Sequence, residues 1–179
     1  MANAPSTHAA ADIPIDMDAD YAADLVIAAP PEAVFDALTA LPGLARWWTT
    51  VSGDGLAGGE LRFVFGGDEP CVMQVTAAER PSSVRWTCLG YRPLPDWAGT
   101  RLSFDVLPHQ EGGSELKFRH TGLTPRLECY RDCKNGWDHF LPSLRDFVET
   151  GHGSPYGSPT DVNRRADGQL RNAASQAPA

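Results

Sequence analysis

Between residues 58 and 120 apolar and polar positions alternate with a period of two, the pattern of strands that bury one face. Leu61, Phe63 and Phe65 share a face, and so in turn do Val84, Trp86 and Cys88, then Leu102, Phe104 and Val106, then Leu116, Phe118 and His120. Their neighbours Arg62, Arg85, Arg101, Asp105, Lys117 and Arg119 point the other way. Turn signals at Gly66-Gly67, Arg80-Pro81-Ser82, Pro93-Leu94-Pro95 and Glu111-Gly112-Gly113 divide the run into about five antiparallel strands. A sheet that is greasy on one face and charged on the other is covered on one side only. Upstream, residues 21–28 read as one more strand. Pro30-Pro31-Glu32 then presets φ and supplies an early carboxylate, starting a short helix whose apolar face is Val34, Phe35 and Leu38. After a break at Thr39-Ala40, a second short helix covers 41–48 and carries Leu44, Trp47 and Trp48.

The cover for the sheet comes last. Residues 125–150 form one long helix, with Thr124 as N-cap, Pro125 at the first helical position and Gly151 just past the end. Its stripe, Leu127, Tyr130, Cys133, Trp137, Leu141, Leu144 and Val148, advances by three and four. Pro142 costs about 3 kcal/mol inside a helix and usually kinks it. Because the stripe continues in phase beyond it, a bend near Asp138 is expected rather than a helix end. About 25 residues at about 1.5 Å each span a sheet. The predicted architecture is therefore an α+β helix-grip fold, a curved antiparallel sheet wrapped around a long C-terminal helix, with two short helices after the first strand closing one end. A cavity is expected where helix and sheet diverge. Residues 1–18 and 155–179 have few large apolar side chains and read as disordered tails flanking a domain at 19–154.

Composition narrows the partners. With 179 residues and 42% hydrophobic content, the chain is long enough to bury a core without disulfide staples. A net charge of -8 and a pI near 5.0, with no basic stripe, exclude the phosphate neutralisation on which nucleic-acid binding depends. The first residues lack a basic start followed by an apolar run, and no stretch has the length of a membrane span. A soluble, cytoplasmic protein is expected, with Cys71, Cys88, Cys129 and Cys133 kept as thiols.

Several segments together resemble a known family. Ala33-Val34-Phe35-Asp36-Ala37-Leu38-Thr39 followed by Leu44-Ala45-Arg46-Trp47-Trp48 is similar to the N-terminal signature of the START-like SRPBCC superfamily, in the branch named for homologues of the Hsp90 ATPase activator. Val84-Arg85-Trp86, the strand from Leu116 to His120 with Thr121-Gly122-Leu123, and Gly136-Trp137 through Leu144 to Gly151 follow in the matching order. The resemblance spans 21–153. It implies the helix-grip fold and is poor in information about substrate, since the superfamily includes lipid carriers, polyketide cyclases and plant binders of hydrophobic ligands. Fold alone does not assign function.

The candidate site residues each have a plainer alternative. Trp47 and Trp48 diverge by about 100° on a helix, so one packs into the core and the other lines the cavity mouth. Trp48, Phe63, Trp86, Phe104 and Phe118, with Trp137 and Leu141 opposite, are candidate pocket walls; for most of them simple core packing is the alternative. Trp97, in a Pro-rich loop, is expected near an opening, as a lid or a packing plug. His120 falls by alternation on the apolar face. It is either a core histidine satisfied by backbone or water, or a group that orients ligand or exchanges protons.

Cys129 and Cys133 share a helix face and could bridge a metal with His120 or His139. Zinc sites prefer tight cysteine pairs in turns, however, and Cys71 and Cys88 stand far apart in β segments, so no metal is expected. Gly66-Gly67 and Gly112-Gly113 serve turns and not phosphates. No Ser/His/Asp order, carboxylate pair or dinucleotide fingerprint is present, so no cofactor is expected and only His120 qualifies as a catalytic group. The leading function is binding of a small, largely apolar molecule between sheet and helix. A cyclase- or hydrolase-like enzyme in the same cavity is the alternative, and a co-chaperone role is what the family name implies. A homodimer through an exposed sheet edge is compatible with the pattern.

Overall fold

The structure, a computed structural model, describes residues 16–175, with side chains to residue 169. The first fifteen residues of the expected N-terminal tail lie outside the described residues. The order of elements is β1 (Tyr21–Ile27), α1 (Pro31–Thr39), α2 (Leu41–Trp47), β2 (Thr50–Gly53), β3 (Glu60–Val64), β4 (Cys71–Glu79), β5 (Ser83–Gly90), a 3-10 turn at Pro95–Trp97, β6 (Arg101–Pro108), β7 (Ser114–Thr121), α3 (Tyr130–Thr150) and α4 (Pro159–Ser175). The seven strands form one sheet in the order β1-β7-β6-β5-β4-β3-β2, every neighbouring pair antiparallel. This is the α+β helix-grip arrangement that the period-two pattern and the long amphipathic helix predict.

Alternation does what it promised in β3 to β7. Leu102, Phe104 and Val106 on β6 face inward opposite His120, Phe118 and Leu116 on β7, all of them buried. One residue out of phase, Arg85 pairs with Asp105, Arg119 with Asp24 at 2.5 Å, and Lys117 with Glu115 at 3.7 Å, on the solvent face. The greasy face is covered by α3, whose stripe buries Cys133, Trp137, Phe140, Leu141 and Leu144. α3 runs unbroken through Pro142 and ends at Gly151, whose φ of 79° is the left-handed conformation a glycine adopts readily.

Three local expectations are corrected. α3 begins at Tyr130 and not at Pro125. The Leu123 carbonyl still accepts from Tyr21 N–H at the sheet edge, and Asp18 holds Arg126 at 2.6 Å. The chain from Thr124 to Tyr130 is drawn into successive tight turns, closed by Leu127 N–H on the Thr124 carbonyl and Tyr130 N–H on the Leu127 carbonyl. Cys71 and Cys88 are neighbours and not far apart, because the β4–β5 pairing sets Met73 opposite Cys88 and brings the two thiols close enough to perturb each other. No disulfide forms among the described residues.

The third correction is the C-terminal segment, expected to be a disordered tail and folded instead as α4 over 159–175. Its start has a physical cause. Ser158 Oγ accepts the Asp161 N–H at 3.3 Å, and Pro159 needs no N–H partner at the first turn. Asp161, 0% exposed, accepts from Gly157 N–H at 3.0 Å, Arg164 Nη2 at 2.7 Å and Arg165 Nε at 2.9 Å. Burial works against that carboxylate, and the three donors outweigh it, holding its pKa below the ordinary value. Tyr156 ties the segment to the body: its N–H donates to the Trp48 carbonyl at 2.7 Å and its ring meets Phe65 edge-on at 5.5 Å.

Candidate functional site

At one end of α3, a cavity of about 250 Å³ opens between helix and sheet. Cys133, Gly136, Trp137 and Phe140 form its floor from α3, a spacing of three and four that puts all of them on one helix face. Phe65 and Tyr91 close it from the sheet side, Leu94 and Trp97 from the loop before β6, and Trp48 from the end of α2. Tyr156, Arg164 and Arg165 complete the rim from the C-terminal segment.

Both tryptophans of the Trp47-Trp48 pair are buried, Trp47 in the core and Trp48 against the cavity, the division of roles that their divergence on a helix led one to expect. Trp47 is the last residue of α2 and Trp48 its C-cap, with φ -114° and ψ -77°. Trp47 packs between α2 and α1 and donates its indole N–H to the Ala37 carbonyl at 2.9 Å. Trp48 turns into the sheet, stacks parallel to Trp86 at 5.9 Å, and meets Trp137 at 5.1 Å and Phe63 at 4.2 Å.

Trp97 is not an exposed loop residue. It is 6% exposed, lies nearly parallel to Trp137 at 6.3 Å, and donates its N–H to Cys133 Sγ at 3.2 Å. Burial is the main cause pushing the Cys133 thiol up to about 12, so it stands in the wall as a neutral, inert group.

His120 lies behind this wall, fully buried and hydrogen-bonded on both nitrogens. An indole N–H can only donate, so Trp137 Nε1 at 3.0 Å makes Nδ1 the acceptor and fixes the proton on Nε2. Nε2–H then donates to Thr100 Oγ1 at 2.9 Å, and Thr100 donates onward to the Trp97 carbonyl at 2.7 Å. Burial pushes the His120 pKa down to about 3, so the ring is neutral at physiological pH. With neither nitrogen free, it acts as the peg that orients Trp97 and Trp137, the two indoles facing the cavity.

Of the residues singled out from sequence, the structure brings Trp48, Trp97 and Trp137 to the cavity surface. Phe63, Trp86, Phe104, Phe118, His120 and Leu141 stand in the packed layer behind and do not line it. Phe118 meets Trp137 at 4.5 Å and Phe104 meets Trp86 at 4.9 Å, so aromatic neighbours fill the space a ligand would need. The rim residues from the C-terminal segment were missed because it is poor in apolar side chains. Ser158-Pro159-Thr160-Asp161, with a hydroxyl three residues before a carboxylate, was the available signal. Gly136 was a second: a glycine inside a strong helical stripe marks a place where something other than a side chain belongs.

A larger groove, about 570 Å³, runs between α3 and α4 past Asn135, Asp138 and His139. It shares Asp132, Arg164 and Arg165 with the aromatic cavity. Its walls are charged and open to solvent, which suits water or a polar group and not an apolar body. Among the described residues no cluster of three or more metal-ligating side chains occurs, and no described helix is long and apolar enough to cross a membrane.

Comparison with known proteins agrees with the geometry. Residues 28–149 match the family described as Activator of Hsp90 ATPase homolog 1-like protein. The Aha1 dimer of Colwellia psychrerythraea, solved in solution, is 30% identical with a TM-score of 0.67, covering 75% of this chain and 99% of that one. CalU16 of Micromonospora echinospora shares the fold at 18% identity and a TM-score of 0.60, covering 87% and 88% of the two chains. DynU16, from the dynemicin biosynthetic locus, does so at 21% identity and a TM-score of 0.60, covering 74% of this chain and 48% of that one. Among curated proteins none matches.

Proposed function

The chain belongs to the Activator of Hsp90 ATPase homolog 1-like family of the START-like superfamily, and from that premise we propose that it binds a small, ring-bearing, largely apolar molecule in the cavity bordered by Trp48, Trp97 and Trp137. The single observation that carries this reading is the disposition of the two indole N–H groups. Trp97 and Trp137 commit their donors to Cys133 and His120, so neither indole N–H is left for a ligand and both border the cavity through carbon. A wall built that way offers dispersion and stacking to an aromatic guest. The volume sets the scale. A dry cavity of about 150 Å³ admits benzene, so about 250 Å³ suits one or two rings and not a lipid chain bundle.

Catalysis in the same cavity has less support, because a general base needs a lone pair within reach of substrate. His120, the only candidate from sequence, has both nitrogens engaged and sits behind Trp97 and Trp137. The test of binding is quenching of intrinsic tryptophan fluorescence during titration with one- and two-ring aromatics, checked by calorimetry. Saturable one-to-one binding is expected. A panel of such compounds that moves neither signal at millimolar concentration removes the proposal.

A second reading rests on the family and on the dimer formed by the Colwellia protein. We propose that this chain also self-associates, and that it can act on a chaperone ATPase. Sedimentation velocity at micromolar concentration is expected to show a dimer, and added protein is expected to raise the ATPase rate of Hsp90. A monomer at all concentrations, with an unchanged rate, disposes of both.

A further inference from the structure

The aromatic cavity has one polar end, and it comes wholly from outside the family domain, apart from Asp132. The family match stops at residue 149, whereas Arg164 and Arg165 lie on α4. We propose that α4 sets the ligand class, selecting an apolar ring that carries a carboxylate or similar anion, received by Arg164 and Arg165 at the junction of cavity and groove. This rests on the binding reading above and narrows it.

Donors on both arginines remain unspent. Asp161 takes one N–H from each arginine, so a single carboxylate is shared by two guanidinium groups. Beyond those two bonds, Arg164 Nη1 and both Nη groups of Arg165 donate to no described residue, and guanidinium donors of this kind suit a carboxylate. Both groups are already held in place. Arg164 lies over the Phe140 ring at 5.8 Å and Arg165 over Tyr156 at 4.6 Å, so little side-chain freedom remains to be lost on binding.

The other charged groups at this junction sharpen the test. Asp138 is engaged by Lys134 at 2.5 Å and by the Tyr21 hydroxyl at 2.7 Å. His139 donates Nε2–H to the Ser154 carbonyl at 2.9 Å, and burial lowers its pKa, so it adds no positive charge at neutral pH. Asp132 lines both cavities and, unlike Asp138 and Asp161, makes no ion pair with a described residue, so its charge opposes an anion. Its removal should therefore help.

Calorimetric titration of the full chain with 2-naphthoate and with its neutral counterpart 2-naphthylmethanol reads the head group directly. The expected result is at least tenfold tighter binding of the acid, a ratio that shrinks in 0.5 M salt because the attraction is screened. Arg165→Gln is expected to bring the ratio near one, with the loss falling mainly on the acid, and Asp132→Asn to raise it several-fold. Equal affinities for acid and alcohol in the unaltered protein, or a ratio that survives Arg165→Gln, overturn the head-group assignment while leaving the cavity as a binding site. If neither compound binds, the cavity reading falls and this one with it. Arg164→Gln and Arg165→Gln each strip a partner from buried Asp161, so the far-ultraviolet dichroism of both is compared with that of the unaltered protein first, and Asp132→Asn, which touches neither bond, decides if α4 has loosened: an acid-to-alcohol ratio it fails to raise overturns the assignment.

Discussion

Gly136→Leu is expected to abolish ligand binding while leaving the fold intact. Gly136 sits inside α3 and lines the aromatic cavity, and a Cβ placed there would meet only the Phe140 ring edge, at 4.0 Å. A leucine side chain would therefore grow into the cavity and occupy the ligand's place. Glycine in a helix interior is disfavoured by roughly 0.5–1 kcal/mol relative to alanine. Gly136→Ala should thus raise Tm by about 1–4 °C for a chain of this size. The leucine variant should at least hold the starting Tm and weaken binding of the two-ring aromatics more than tenfold, by calorimetry. Unchanged affinity in a folded Gly136→Leu protein would place the binding site elsewhere. Alanine at the same position separates the two effects, since it tests helix stability with little loss of volume.

Acid is expected to weaken the fold through His120 well before the carboxylates titrate. The folded-state pKa is about 3, below the ordinary 6.5, because burial disfavours the charged ring. Between those values the unfolded chain binds a proton that the folded protein excludes. Stability is thus fully present above pH 6.5 and falls progressively as pH drops toward 3. The whole contribution is roughly 4–5 kcal/mol, at about 1.36 kcal/mol per unit of difference. His139, half-buried and also lowered by burial, acts in the same direction with a smaller share. Asp24 and Asp161, held low by their arginine partners and the Gly157 N–H, lose their part only below about pH 4. Urea unfolding at pH 7.5, 6.5, 5.5 and 4.5 measures the slope. His120→Gln can still accept from Trp137 and donate to Thr100 but does not titrate, so it should cost some stability at pH 7.5 and flatten the dependence between 6.5 and 4.5. Parallel slopes in the two proteins would show that His120 is not the acid-sensitive group.

The same histidine shows where sequence reading stops. Alternation along residues 114–121 put His120 on the buried face, since neighbouring strand residues must point to opposite sides. Whether a buried imidazole is a proton-exchanging group or a satisfied peg depends on what touches its nitrogens. Trp137 and Thr100 stand 17 and 20 positions away, and their approach is a property of the sheet and helix together. Trp48 is a related case. Its apolar character was evident, but which of the two neighbouring tryptophans would reach the cavity depended on how α2 packs against the sheet.

What the sequence by itself determined was the layering: the faces of β3 to β7, the covering stripe of α3 and its stop at Gly151. These follow from periodicity and backbone preference, which act between residues a few positions apart. Tertiary structure alone decided which greasy side chains touch empty space and which touch one another, for Phe63, Trp86, Phe104 and Phe118 look no different in sequence from Trp97 or Trp137. It also decided that a tail of low apolar content would fold, its described residues being anchored by one buried carboxylate, Asp161, and by Tyr156 packed on Phe65. Cavities arise where packed surfaces of different curvature part, and no local pattern encodes that difference.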